Sequence, residues 1–490
     1  MEHLSNGNEP ERDDRVTETS KTYRLQREIP VAAETEVLVV GGGPAGIAAA
    51  IASARNGAAT MLVERYGSLG GNLTAGLVGP CMTSYSLDGQ QQLIQGIFEE
   101  IVVRMEKMGG AIHPSKIPAG SEYCGFIVYG HDKVTPFDPE AVKLCAAEMC
   151  QEAGVDLLLH TFVADTIVEA GAVAGVVTTS KSGLQAIRAK VTVDCSADAD
   201  VAVRAGVPFA QGRTEDGLTQ PMTLFFRVSN VDDDRVKEYV TAHPDDYRPF
   251  ASQVKQAREQ GEFSIPRKGV GLYKTLEPGV WRINTTRLHR LDGTDARDLT
   301  QAEIDGRRQV AELMRFFRKW LPGFENATLR ETAATIGVRE TRRIVGEYTL
   351  TGDDLATGRS FEDTIAFCGY PVDIHSPTGD GGGADGSHPT ANVYQIPYRC
   401  LVPLKVDRLL VAGRCISASH EALGAVRVMP PAFALGEAAG TAAALSLAAG
   451  VAPRDVSIPA LRVTLVEQGA YLGDEGVERG AAPVGMGARA

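Results

Sequence analysis

Glu36-Val-Leu-Val-Val-Gly-Gly-Gly-Pro-Ala-Gly-Ile-Ala-Ala-Ala-Ile51 is the stretch on which the fold turns. Glu36 to Val40 is a short apolar, β-branched run of the kind that forms a buried parallel strand. Gly41, Gly43 and Gly46 then fall at G-x-G-x-x-G spacing, and an alanine-rich helix opens around Pro44 and Ala45. At these positions Gly41 permits a tight turn, Gly43 lets the backbone approach a pyrophosphate, and Gly46 lets helix pack on strand. The helix N-terminus offers free N–H groups and partial positive charge to phosphates. A second strand, Thr60-Met-Leu-Val, ends in Glu64, where a carboxylate would accept hydrogen bonds from ribose hydroxyls. Glycines at this spacing also occur in purely structural βαβ units. Strand, turn, helix, second strand and terminal acid in register favour dinucleotide binding.

Working outward, Ser68-Leu-Gly-Gly-Asn-Leu-Thr-Ala-Gly76 is dense in glycine. It reads either as a loop running close to a cofactor or as a flexible linker. The chain has 490 residues, room for two or three domains, with 43% hydrophobic and 23% charged residues, as in ordinary globular proteins. Its net charge of −13 opposes binding to nucleic acid or anionic lipid. The eight cysteines show no C-x-x-C pair and no metal-type spacing, which predicts reduced, buried thiols, a cytoplasmic location and no metal site. No apolar run reaches about 18 residues without polar interruption, so no transmembrane helix is expected. The first 30 residues have no apolar h-region, so no secretory signal is expected either.

Residues 1–33 are polar and read as a mobile leader. Residues 34–206 form the first part of the nucleotide domain. Within it, Gln90–Met108 has helical periodicity, and Asp138-Pro-Glu140 caps a helix running to about Ala153. Pro118–Val134 reads as an irregular loop near the active site, and residues 155–193 switch to a β pattern. Residues 207–389 read as a second, α+β domain covering the first: Pro221–Val228 and Val280–Asn284 are strand-like, and Thr300-Gln-Ala-Glu303 is a capping box opening a helix through Trp320. Gly379–Gly386 cannot pack a core and reads as a mobile lid or surface loop. The nucleotide pattern then returns over 390–465, with a strand in Arg408–Arg414 and a small-residue helix over Pro431–Ala449, before a tail over 466–490.

Four separated motifs carry a resemblance spanning about residues 34–465. They are the first glycine unit with Glu64; the pair Gly70-Gly71; Val193-Asp-Cys-Ser-Ala-Asp198; and Val411-Ala-Gly-Arg-Cys-Ile-Ser417, followed by the helix that starts at Pro430-Pro431. The chain resembles the FAD-dependent oxidoreductases of the glutathione-reductase superfamily, in the branch related to fumarate reductase and succinate dehydrogenase flavoproteins. The resemblance implies an α/β fold with a discontinuous Rossmann-like FAD-binding domain. It assigns FAD contacts to Gly41, Gly43, Pro44, Ala45, Gly46, Glu64, Arg65, Gly70, Gly71, Asn72, Ala197, Asp198, Gly413, Arg414, Met429, Pro430 and Ala432. Two positions depart from the pattern: Ala197 replaces the usual glycine of its turn, and Arg414 stands where many relatives have an acid. Loss of that acid, and the lack of an Asp-Gly motif near residues 150–165, argue against the aromatic-hydroxylase branch. No histidine follows Gly71, so the FAD is expected to be non-covalent.

In such a fold the flavin takes hydride and the protein orients substrate and handles one proton. A helix N-terminus behind Val428-Met429-Pro430-Pro431 would stabilise the charge left on the ring edge. His420, between the late strand and helix, is either a base near neutral pH or a structural histidine, and Glu421 either orients it or caps a turn. His375 beside the glycine-rich run is either a second candidate or exposed without a role. Arg339, Arg342, Arg343 and Arg427 either clamp an acidic or polar substrate bidentately or pair with the chain's own acids. The expected function is an FAD-dependent oxidoreductase, an oxidase or dehydrogenase acting on a small polar organic molecule. Reduction of an activated double bond and a non-catalytic flavin-binding regulatory module are the alternatives. Expected partners are a small-molecule substrate and an electron acceptor such as oxygen, a quinone or a carrier protein, with a homo-oligomer left open and no nucleic acid or membrane. No second complete G-x-G-x-x-G unit is present for NAD(P)H.

Overall fold

The computed structural model describes residues 25–246, 248–379 and 388–473. Strand β1 (Val31–Val40) turns at the glycine motif into a helix over Pro44–Arg55, and β2 (Thr60–Val63) lies parallel beside β1. The chain continues through a helix over Pro139–Glu152, N-capped by Asp138. It then forms β3 (Asp156–Leu158), β4 (Phe162–Glu169), β5 (Ala172–Ser180) and β6 (Gly183–Asp194). The sheet order is β3-β2-β1-β6-β5-β4, and the Leu409–Val411 strand adds to β6 in parallel. Thus β1, β2, β6 and the late strand all point the same way, and the chain leaves them at one edge. Ligands of open α/β sheets bind outside that carboxyl edge.

The Met429–Ala449 helix closes the domain. It packs on the Pro44–Arg55 helix, where a Cβ at Gly436 or Gly440 would overlap the backbone of Ala45 or Ala49. By length and composition it could cross a membrane, yet 72% of its apolar window is buried inside the fold. It is the core helix of this domain, built from small side chains so that two backbones can approach. It begins at Met429, two residues ahead of the expected start, with both prolines in its first turn, where a missing N–H costs nothing.

A second core, from Met222 to Ile336 apart from Leu77, surrounds a four-stranded sheet (Phe226–Ser229, Leu272–Lys274, Trp281–Ile283, Thr328–Thr332) and an amphipathic helix over Ala296–Trp320. That helix starts four residues before the expected capping box, because the Asp295 carboxylate accepts from the N–H groups of Arg297 and Asp298. The helix expected over Gln90–Met108 is confined to Gly96–Lys107.

The structure also moves the expected domain boundaries. By Leu350 the chain is back in the first core, where Ile365, Ala366 and Cys368 pack with Tyr394 and Ile396. The glycine-rich run therefore lies between two paired strands (Thr364–Cys368 and Tyr394–Pro397) of the nucleotide domain rather than at its border. Its residues from 380 to 387 lie outside the described residues, as do most of the expected leader and tail. Where described, these ends belong to the fold: Val31 pairs with Ala186, and Leu472 is buried in the first core.

Candidate active site

A cavity of about 1260 Å³ opens at the carboxyl edge of the parallel strands and extends to the second core. It exceeds the few hundred to about 1,000 Å³ usual for a small-molecule site, leaving room for a dinucleotide and a substrate together. Gly41, Gly43, Pro44, Ala45, Glu64, Arg65, Gly71, Asn72, Ala197, Asp198, Gly413, Arg414, Met429 and Ala432 line it.

Each part of this lining has a local cause. Gly41 has φ +97°, and a Cβ there would lie 2.5 Å from the Cys195 carbonyl oxygen. A Cβ at Gly43 would meet nothing within 4 Å, so the backbone N–H groups at the helix start stand open to the cavity. No side chain caps that helix or the Met429–Ala449 helix. These are the features a diphosphate and a flavin ring edge need. Glu64 is buried, and its carboxylate accepts from the Gly42 N–H at 2.6 Å and the Tyr66 N–H at 2.8 Å. Two backbone donors fix its orientation and leave lone pairs for ribose hydroxyls. The residues present therefore fit FAD.

Three expected cofactor residues stand behind this surface. Gly46 packs beneath the turn, where a Cβ would overlap the Gly41 carbonyl. Gly70 (φ +111°) packs on Thr74, and Pro430 is buried in its helix. Their part is to shape the wall, not to line it.

The expected catalytic residues divide. Arg339, Arg427 and His375 line the cavity; Arg342 and His420 do not. Arg342 is taken up by the turn after β6, with Nε donating to the Asp198 carbonyl at 2.8 Å and Nη2 pairing with Asp200 at 2.7 Å. His420 is buried with its Nδ1 2.9 Å from Glu340, a fully buried carboxylate that also pairs with Arg343. His420 and Arg343 thus share one buried carboxylate away from the cavity lining. Their partners lie 80 and 3 positions away in sequence, and the distant one could not be read from spacing.

Arg339 is the reverse case. Its Nη1 donates to the Pro221 carbonyl and to Thr223 Oγ1, each at 2.7 Å, and among the described residues no carboxylate pairs with it. Burial, then the charge of Arg427, pulls its pKa down to about 9. Arg427 donates to the Asp373 carbonyl at 2.9 Å and lies 3.5 Å from the Asp373 carboxylate, with Nε buried and unpartnered. His375 has Nε2 3.5 Å from Asp373 and a buried, unpartnered Nδ1. Burial first, then Arg339, Arg427, Arg267 and Arg248, hold its pKa well below the ordinary histidine range. It is therefore neutral at pH 7.

Sequence reasoning missed several residues here. Arg248, Arg267, Tyr273, Asn284 and Tyr370 line the same cavity. Arg267 donates to the Asn284 carbonyl at 3.1 Å, and the Tyr370 hydroxyl donates to Asp373 at 3.2 Å. Arg248, Arg267 and Asn284 sit on connections of the second core, Tyr273 on one of its strands, and Tyr370 just after the Thr364–Cys368 strand; none carries a motif. Asp373 and His375 two positions apart were the one local signal.

Comparison with known proteins follows the same lines. A thiamine thiazole synthase from Aeropyrum pernix is 33% identical over 143 residues, 29% of this chain and 43% of the synthase, so the chain spans less than half of that curated relative. The p-nitrophenol 4-monooxygenase from Pseudomonas putida is 13% identical, covering 89% of this chain and 86% of that one, with a TM-score of 0.44. The L-proline dehydrogenase from P. horikoshii is 13% identical, covering 90% and 99%, with a TM-score of 0.41. Residues 36–465, nearly all of the described fold, match one family of enzymes throughout. The chain belongs to the FAD-dependent oxidoreductases.

Proposed function

We propose that this enzyme dehydrogenates a small organic anion, and that its substrate is held by at least one carboxylate. The observation that carries this reading is Arg339: a buried guanidinium in the cavity wall that, among the described residues, forms no ion pair with a carboxylate. An uncompensated buried cation is costly, and a bound carboxylate supplies the missing partner through two parallel hydrogen bonds. Arg427 and Arg267 beside it favour the same sign of ligand. Within the family, our reading of the four motifs remains the branch related to fumarate reductase and succinate dehydrogenase flavoproteins.

FAD, when bound, supplies the two-electron acceptor, taking a C–H of the substrate as hydride. Gly43 and the Pro44 helix would hold its diphosphate, Glu64 a ribose, and the Val428–Met429 turn the ring edge. The chain's own task is the other proton. Neutral His375, steered by Asp373, would take it at Nδ1 from the adjacent O–H or C–H as the hydride leaves. Burial, then the arginines, keep His375 unprotonated, the form that a base must have before it can take the proton.

The test is anaerobic mixing of the holoenzyme with hydroxy acids, amino acids, saturated carboxylates and their neutral amides or alcohols. Bleaching of the flavin by a carboxylate and not by its neutral counterpart is expected, with Arg339→Met raising KM at least about 100-fold and FAD content unchanged. Bleaching by a neutral compound that Arg339→Met leaves intact would sink the proposal.

A further inference from the structure

The turn after β6 holds two residues in a conformation that side chains disfavour. Ala197 has φ +71° and Ala199 φ +55°, both left-handed. An L side chain crowds its own backbone in this region, and glycine avoids that crowding. Such strain persists only where the surroundings over-determine it. Ala197 and Asp198 both line the cavity, so the strained segment is part of its wall.

One side chain grips the turn at two points and ties it to a third segment. Arg414 Nε donates to the Ala197 carbonyl at 3.1 Å, and its Nη2 pairs with the Asp198 carboxylate. Its Nη1 donates to the carbonyl of Val338, on the return from the second core. The same return segment adds Thr341, whose hydroxyl donates to Asp198 at 2.7 Å. The Arg414–Asp198 pair is largely sheltered from water, with side chains 11% and 14% exposed, so it escapes most of the screening that weakens surface pairs. The planar guanidinium fork can reach three acceptors at once; an ammonium on a flexible stem cannot match that geometry.

We propose that Arg414 is a positioning residue for FAD. It holds Ala197 in the left-handed conformation that glycine would adopt unaided, and so sets the cavity wall at Ala197 and Asp198. Three of its five N–H groups donate to protein acceptors, and through these it acts on the turn. This explains together two sequence features that look unrelated, the missing glycine at 197 and the cation at 414. The inference rests on the family's cofactor and is independent of the substrate.

The experiment is a double-mutant cycle with Arg414→Gln and Ala197→Gly, reading the FAD dissociation constant from fluorescence released on dilution of the holoenzyme. R414Q is expected to weaken FAD at least about tenfold in the alanine background. In the A197G background the same change should cost under about threefold, because glycine keeps the turn accessible without the clamp. A merely structural arginine would give equal losses in both backgrounds, and that result overturns the proposal, as does no loss in either. If R414Q does not accumulate as folded protein, R414K closes the same cycle, with a smaller loss that A197G again relieves; a loss unaffected by residue 197 overturns it equally.

Discussion

Where the cavity meets the parallel strands, its surface is backbone and small side chains: Gly41, Gly43 and Gly71, the turn at Gly413, and the open start of the Met429 helix. Where it meets the second core and the segment from Tyr370 to His375, the surface is long and charged. There Arg248, Arg267, Arg339 and Arg427 gather with His375, His131 and Asp373. The first region offers shape and amide dipoles: a Cβ at Gly41 would meet the Cys195 carbonyl, while Gly43 leaves its side open to the cavity. The second offers positive charge, in a protein whose net charge is −13. A cofactor common to a whole family calls for the first kind of wall, and a particular substrate for the second.

The largest effect should come from the backbone region. Gly46→Ala puts a methyl group into the Gly41 carbonyl oxygen, and neither backbone can yield without opening the turn. It should destabilise the fold by about 3 kcal/mol or more and abolish FAD retention, checked by urea unfolding and by flavin absorbance per protein. Full occupancy in this variant would break the contrast.

Next comes the charged region. His375→Gln should lower kcat about 100-fold with FAD affinity unchanged, measured by stopped-flow bleaching. Its proton affinity is depressed, so the base stays available as pH falls through 6.5. The acid limb of kcat/KM governed by it should therefore lie well below 6.5, and a limb at or above that value would remove His375 from the role.

A third prediction uses Glu437, buried in the middle of the Met429–Ala449 helix. Its carboxylate accepts from the Ile97 N–H at 3.1 Å, and one oxygen is unpartnered. Burial raises its pKa to about 7. Between pH 4.5 and 7 the unfolded chain has released this proton and the folded one has not, so the group's contribution to stability falls as pH rises through that window. Glu437→Gln, which keeps an acceptor for Ile97, should stabilise the protein at pH 8 by about 2 kcal/mol and leave it nearly unchanged at pH 4.5. Urea midpoints at the two pH values would check this.

The smallest effect is expected at His420. Its partner Glu340 keeps Arg343 and the Gln220 N–H, so His420→Gln should cost about 1 kcal/mol of stability with kcat within threefold. If it instead matched the loss at His375, the two histidines would have to exchange roles.

The same contrast marks how far the sequence could be read. The strand, the glycine turn, the uncapped helices and Glu64 are local and periodic, so residues 36–64 and the strand and helix at 409–411 and 429–449 announced their own structure, while the short helix over His420–Val426 between them did not. The charged region was legible only as a list of arginines, because what decides an arginine is its partner. Arg342 meets Asp200 and Arg343 meets Glu340, whereas Arg339, in the same short segment, pairs with no acid among the described residues. Periodicity places these three close together and says nothing about which acid reaches which. The domain border failed for a related reason: a glycine-rich run looks alike between two domains and inside one strand pair.

The pairing of the Pro44 helix with the Met429 helix has a bearing on how the molecule comes into being. Residues 56–428 separate the two helices, so the alanine face of the first waits for all of them to be made before it finds its partner. Closing so long a loop is entropically demanding and slow, and the waiting face is sticky. Birth of this enzyme should therefore depend on chaperones far more than its stability once complete would suggest.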